Sequence, residues 1–182
     1  ESRKLILGTI HPHESKNFRM PFFYGNKNSI WHLLSDAFPE ELPAPITVAG
    51  VRKFLDKRKI AVSDTIRECR RTDHTALDTS LIPTLLNYGL TDQIRASEIT
   101  HILCTSGFGK NNAFRLFYKD ILGLNITEEI RKARQVLLDP EIFGRQILLS
   151  VLYSPSGAAN ISLSKNPAYL AAMEQYKGSP RP

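Results

Sequence analysis

The chain has 182 residues, 42% of them hydrophobic and 23% charged, with a formal charge of +6. That balance suits one globular domain with a full core and excludes fibrous and disordered classes. No run approaches the roughly 18 apolar residues that span a bilayer, and the two cysteines, Cys69 and Cys104, supply neither a disulfide framework nor a usual iron–sulfur cluster.

In chain order, the first element is an apolar run over residues 4–10. It is apolar throughout rather than alternating, which predicts a strand buried on both faces of a parallel sheet. Similar runs over residues 60–66, 99–105 and 146–153 predict three more strands. Between them, helical spacing predicts helices over residues 28–38, ended by Pro39, and over 47–59, where Val48, Val51, Phe54 and Leu55 share a face. Asp78 reads as the cap of a helix running through Ile82, Leu85 and Leu86 toward Gly89. Residues 111–122 and 166–176, the latter with Pro167 at its first position, complete the set. The alternation predicts an α/β protein: a three-layer α/β/α sandwich around a central, mostly parallel four-stranded sheet. A single domain is expected over residues 1–176, with residues 177–182 a frayed tail.

Two loops leave the ends of the first and last predicted strands. The first runs from Gly8 through His11-Pro12 to the aromatic patch Phe22-Phe23-Tyr24, then Gly25, Asn26, Asn28 and Trp31. Glycine lets a ligand approach the backbone, and aromatic rings beside amides can stack on and read a nucleobase. The same residues also suit a plain role, with Phe22 and Trp31 in the core and Asn28 capping the helix. The last loop, Ser154-Pro155-Ser156-Gly157-Ala158-Ala159-Asn160, offers small residues whose backbone amides can contact phosphate; an ordinary turn uses the same composition. Ser106-Gly107-Phe108-Gly109-Lys110 follows a strand and opens a helix, so it too can hold phosphate, although it lacks the P-loop spacing. His74 with Asp73 and Asp78 reads as a solvated group rather than a metal site. Cys104, inside an apolar run, reads as core. The basic runs at Lys57-Arg58-Lys59, Arg70-Arg71 and Arg131-Lys132 read as solvated faces that serve a polyanion only if they share a side with the loops.

With those motifs in place, the chain resembles the uracil-DNA glycosylase superfamily over residues 4–160. Gly8-Thr9-Ile10-His11-Pro12 and Ser154-Pro155-Ser156 occupy the places of its first and last motifs. Phe23-Tyr24-Gly25-Asn26-Lys27-Asn28-Ser29-Ile30-Trp31 is similar to the first motif of its hypoxanthine-DNA glycosylase-like branch. His11 stands where other branches carry Asp or Asn, and Ser154 where they carry His. The resemblance implies a monofunctional DNA glycosylase that flips a deaminated or damaged base, such as hypoxanthine or uracil, and hydrolyses its N-glycosidic bond during base excision repair.

In that reading Asn28 orients the attacking water, with His11 a second candidate. Gly8, Phe23, Tyr24 and Asp64 bind the base. Ser154, Pro155, Ser156, Gly157, Ala158, Asn160, Ser106 and Lys110 grip phosphate or wedge into the stack. No metal or other cofactor is implied; the partner is lesion-containing DNA, single- or double-stranded. A cytoplasmic or nucleoid-associated monomer without membrane contact is expected. Two alternatives stay open: a protein of this fold that binds nucleic acid without excision, and an unrelated doubly wound protein that binds a small nucleotide.

Overall fold

The computed structural model describes residues 1–10, 30–73, 78–152 and 154. The chain divides into two compact units, Glu1–His11 with Lys59–Leu152 and Pro12–Arg58 with Tyr153–Pro182.

The first unit is an α/β fold built on a mixed five-stranded sheet. Its strands are β1 (Lys4–Gly8), β2 (Ile60–Asp64), β5 (His101–Cys104), β6 (Gln135–Leu138) and β7 (Ile147–Val151), in the order β2-β1-β5-β7-β6. The first four in that order run parallel, and β6 pairs antiparallel with β7. The apolar runs explain the placement. All four residues of β5 and three of the five of β1 are buried, so these strands fill the middle of the sheet. The poorer runs of β2 and β6 lie at the edges.

Register puts Leu5, Ile102 and Leu149 in one row and Leu7, Cys104 and Val151 in the next, all on one face. Against that face pack Leu90 and Ile94 of α3 (Gly89–Arg95), and Phe114 and Phe117. Phe114 lies in α4 (Ala113–Arg115), which continues as a π-helical segment over Leu116–Ile121 that carries Phe117. Two short helices frame β6. The first, α5 (Glu128–Ala133), is capped by Thr127; the second, α6 (Pro140–Phe143), is capped by Asp139 with Pro140 at its first position.

Two expectations are corrected. The sheet has five strands rather than four, because the edge strand β6 joins the four parallel ones. The segment after Asp78 is not a helix. A single 3-10 turn, Asp78–Ser80, leads into β4 (Leu81–Leu86), which pairs antiparallel with β3 (Ile66–Arg71) as a separate two-stranded sheet. Pro83 decides this: past the first turn of a helix it would remove a hydrogen bond and clash, whereas a two-stranded ribbon tolerates it. Leu81 and Ile66 turn inward and pack on Leu116.

The second unit contains α1 (Ile30–Ala37), which buries Trp31, Leu33 and Leu34, and α2 (Val48–Arg58), which buries Val51, Phe54 and Leu55. Both match the predicted helices to within a few residues. The Arg58 guanidinium makes two hydrogen bonds to Glu41, at 2.9 and 2.8 Å, and lies 3.8 Å from the Phe38 ring centroid. It holds the Glu41 carboxyl below the usual range. The predicted helix over 166–176 and the tail 177–182 lie outside the described residues.

Candidate functional site at the carboxyl edge of the sheet

In a doubly wound sheet, ligands collect beyond the carboxyl ends of the strands where successive connections leave in opposite directions. Here β1 is followed in the sheet by β2 on one side, while β5 is followed by β7 on the other. The switch point is therefore the gap between β1 and β5, and the residues just past it are polar.

Gly8 ends β1 directly opposite Asp64, which ends β2. A Cβ at position 8 would stand 2.5 Å from Asp64 Oδ1, so only glycine lets the carboxyl lie across this strand end. Asn87 Nδ2 donates to the Asp64 backbone carbonyl at 3.0 Å, and Thr65 Oγ1 donates to the Gly8 carbonyl at 3.1 Å. The two strand ends are thereby fixed to each other and to the start of α3.

Thr9, next in the chain, is buried. Its hydroxyl donates to Asp78 Oδ2 at 3.2 Å and lies 3.3 Å from Ser106 Oγ. Ser106 Oγ accepts from the Ala113 amide at 2.8 Å, which fixes the turn between β5 and α4. Asn111 completes the frame. It is buried, stands at φ 62° and donates through Nδ2 to the carbonyls of Asp78, at 2.9 Å, and Leu81, at 2.7 Å. Asparagine tolerates the left-handed region better than most residues, so one side chain can both make the turn and hold the base of the ribbon.

The electrostatics follow from burial. Desolvation pushes the Asp78 carboxyl above the ordinary carboxylate range and the nearby Asp64 charge adds to this; the Thr9 hydrogen bond and the Arg71 charge act the other way. Asp64 thus closes β2 against Gly8, and Asp78, held by Thr9, is a carboxyl of raised proton affinity.

A second polar spot lies within the same sheet. His101 begins β5 and is 7% exposed; its Nε2 is 2.9 Å from Ser150 Oγ on β7, while Nδ1 is buried with no hydrogen-bond partner. Burial, helped by the charge of Lys4, lowers its pKa to about 4, so the ring is neutral at physiological pH. Cys104 is fully buried, and burial pushes its thiol up, which makes it a core residue.

Of the residues singled out from sequence, Gly8, Asp64 and Ser106 gather at the switch point. Lys110 is exposed, at the far end of the Ser106 turn. Ser154 is half-buried and belongs to the second unit. His11, Phe23, Tyr24, Asn28, Pro155, Ser156, Gly157, Ala158 and Asn160 lie outside the described residues. Sequence reasoning missed Thr9 and gave Asp78 a capping role. The signal that would have found Asp78 is Pro83, which rules out the helix it was meant to cap. Among the described residues, no group of three or more His, Cys, Asp or Glu side chains could hold a metal ion, and no helix is long and apolar enough to cross a membrane.

Compared with protein-family models, with curated proteins and with solved structures, the chain finds no match.

Proposed function

We propose that the chain is a DNA glycosylase that hydrolyses the N-glycosidic bond of a deaminated base, and that its sheet belongs to a three-layer α/β/α sandwich of the uracil-DNA glycosylase type. The observation that supports the reading is the polar cluster at the strand ends: Asp64 opposite Gly8, and Asp78, bonded by the Thr9 hydroxyl, with its carboxyl pushed up by burial. Deamination turns an exocyclic amine into a carbonyl, so hypoxanthine and uracil each present a ring N–H beside a C=O. The Asp64 carboxylate accepts from that N–H. Protonated Asp78 donates to the carbonyl oxygen. Adenine and cytosine, the amino-bearing parents of these two bases, present the reverse pattern and leave both groups unmatched, which is costly in a desolvated site.

The same contacts serve catalysis. As the bond to the sugar breaks, negative charge develops on the departing base and spreads to its carbonyl oxygen. A proton on Asp78 Oδ1 stabilises that charge at the atom where it grows. The Thr9 hydroxyl holds Oδ2, and the Ser106 hydroxyl, 3.3 Å from that of Thr9, holds Thr9 in turn. The attacking water is assigned to Asn28, with His11 as the second candidate, and base stacking to Phe23 and Tyr24. The family motif supports these assignments.

Duplexes carrying hypoxanthine, uracil, xanthine or an alkylated base, incubated with the protein and then treated with alkali, test the proposal. Strand breaks at hypoxanthine or uracil, with none at adenine or cytosine, are expected. Binding without breaks at any base would instead favour a nucleic-acid-binding protein without excision activity.

A further inference from the structure

We propose that the first unit carries a second binding site, a groove beside the crevice that holds a nucleotide of single-stranded DNA next to the base being processed. The inference rests on the glycosylase reading above. The groove is about 460 Å³ and runs between β4 and the start of α4, with Leu85 and Tyr88 along one wall and Lys110, Asn111, Arg115 and Asp120 along the other. That volume suits one nucleotide unit.

Three features point to this occupant. First, the groove sets an aromatic ring against cations. Tyr88 lines the groove and is 54% exposed, and an exposed aromatic ring is the kind of surface on which a base stacks. Lys110 is exposed and Arg115 half-exposed, and among the described residues neither makes an ion pair. They outnumber Asp120, the acidic side chain of the lining, so the wall favours a phosphate.

Second, the wall is built from an uncommon backbone. The helix opens as α-helix and changes to π geometry over Leu116–Ile121, with the Leu122 amide bonding the Phe117 carbonyl at 3.0 Å. Such segments are rare and occur often at functional sites. Third, groove and crevice share a residue. Asn111 lines the groove while its side chain holds the Asp78 carbonyl. A strand that delivers one base to Asp78 must carry its neighbours over adjoining surface, and the groove adjoins it there.

Fluorescence anisotropy with a labelled oligodeoxycytidylate, whose base presents the reverse pattern and is not excised, tests the site apart from excision. The wild-type protein should bind it, and each of Lys110→Ala and Arg115→Ala should weaken binding about fivefold and flatten the salt dependence by about 0.7 in log–log slope. Tyr88→Ala should weaken it at least about fivefold, and Tyr88→Phe should restore it because stacking needs only the ring. Lys119→Ala, on the same helix but away from the groove, should leave binding unchanged, and melting curves check that every variant is folded.

No binding by the wild-type protein overturns the proposal, as does binding indifferent to Tyr88 and Arg115. Competition by free deoxycytidylate as strong as by the oligomer would make the groove a mononucleotide site and overturn the strand assignment. Excision of hypoxanthine or uracil with a groove that fails these tests refutes the groove alone. Groove-dependent oligomer binding without excision of any base refutes the glycosylase reading alone.

Discussion

Two buried titratable groups in one sheet respond to the same force in opposite directions. At the carboxyl edge between β1 and β5, burial raises the proton affinity of Asp78. Inside the sheet, burial lowers that of His101 to about 4. Desolvation favours the neutral form in both cases, which for an acid means holding a proton and for histidine means losing one. The surroundings separate them further. Asp78 lies in the turn before β4, where its Oδ2 accepts from the Thr9 hydroxyl. His101 is clamped to Ser150 between two strands. Burial therefore opposes charge at both positions, and it leaves the His101 ring neutral at physiological pH.

The sharpest way to test this contrast is Asp78→Asn. The amide keeps an acceptor for Thr9 but has no acidic proton, so excision should fall at least a hundredfold, about 3 kcal/mol in the barrier, in single-turnover assays. The same variant should melt at a higher temperature at neutral pH. A carboxyl whose folded pKa is raised loses stability as pH climbs through the window above 3.8, and the amide removes that loss.

His101 predicts the opposite slope. Its folded pKa of about 4 lies below the ordinary 6.5, so between those values the unfolded chain binds a proton that the folded chain refuses. Stability should fall as pH drops from about 6.5 toward 4, by up to about 3 kcal/mol, and level off below. Urea unfolding at stepped pH measures it. His101→Gln, which can still bond Ser150, should abolish this part of the slope; an unchanged slope would place the acid sensitivity elsewhere.

Smaller effects come from the frame. Asn111→Ala should cost about 2 kcal/mol, since two buried carbonyls lose their donor and alanine resists the left-handed backbone. Gly8→Ala should lower excision about tenfold with modest loss of stability, because the new methyl displaces the Asp64 carboxyl rather than packed backbone. Arg95→Ala is the control. It removes the exposed pair with Asp92, at 2.9 Å, and should change stability by no more than about 0.5 kcal/mol.

The four parallel strands were legible because continuous apolar runs have few other places to go than the middle of a sheet. Helices α1 and α2 were legible from their 3.6-residue apolar spacing. The antiparallel edge strand β6 was not, since Gln135-Val136-Leu137-Leu138 is four residues long and offers no period. Strand β4 reads as a helix from sequence because Ile82, Leu85 and Leu86 match a helical face, although Pro83 makes a helix costly there. Within the candidate site, Gly8, Asp64 and Ser106 stood out as polar or small residues closing apolar runs.

The sequence by itself determined the four parallel strands, because a continuous apolar run is a property of local composition. Tertiary structure alone decided that Asp78, 69 positions from Thr9 in the chain, shares a hydrogen bond with it at the switch point. Strand order and the Asn111 frame create that proximity, and the desolvation that raises the carboxyl's proton affinity exists only once the surrounding chain has folded around it.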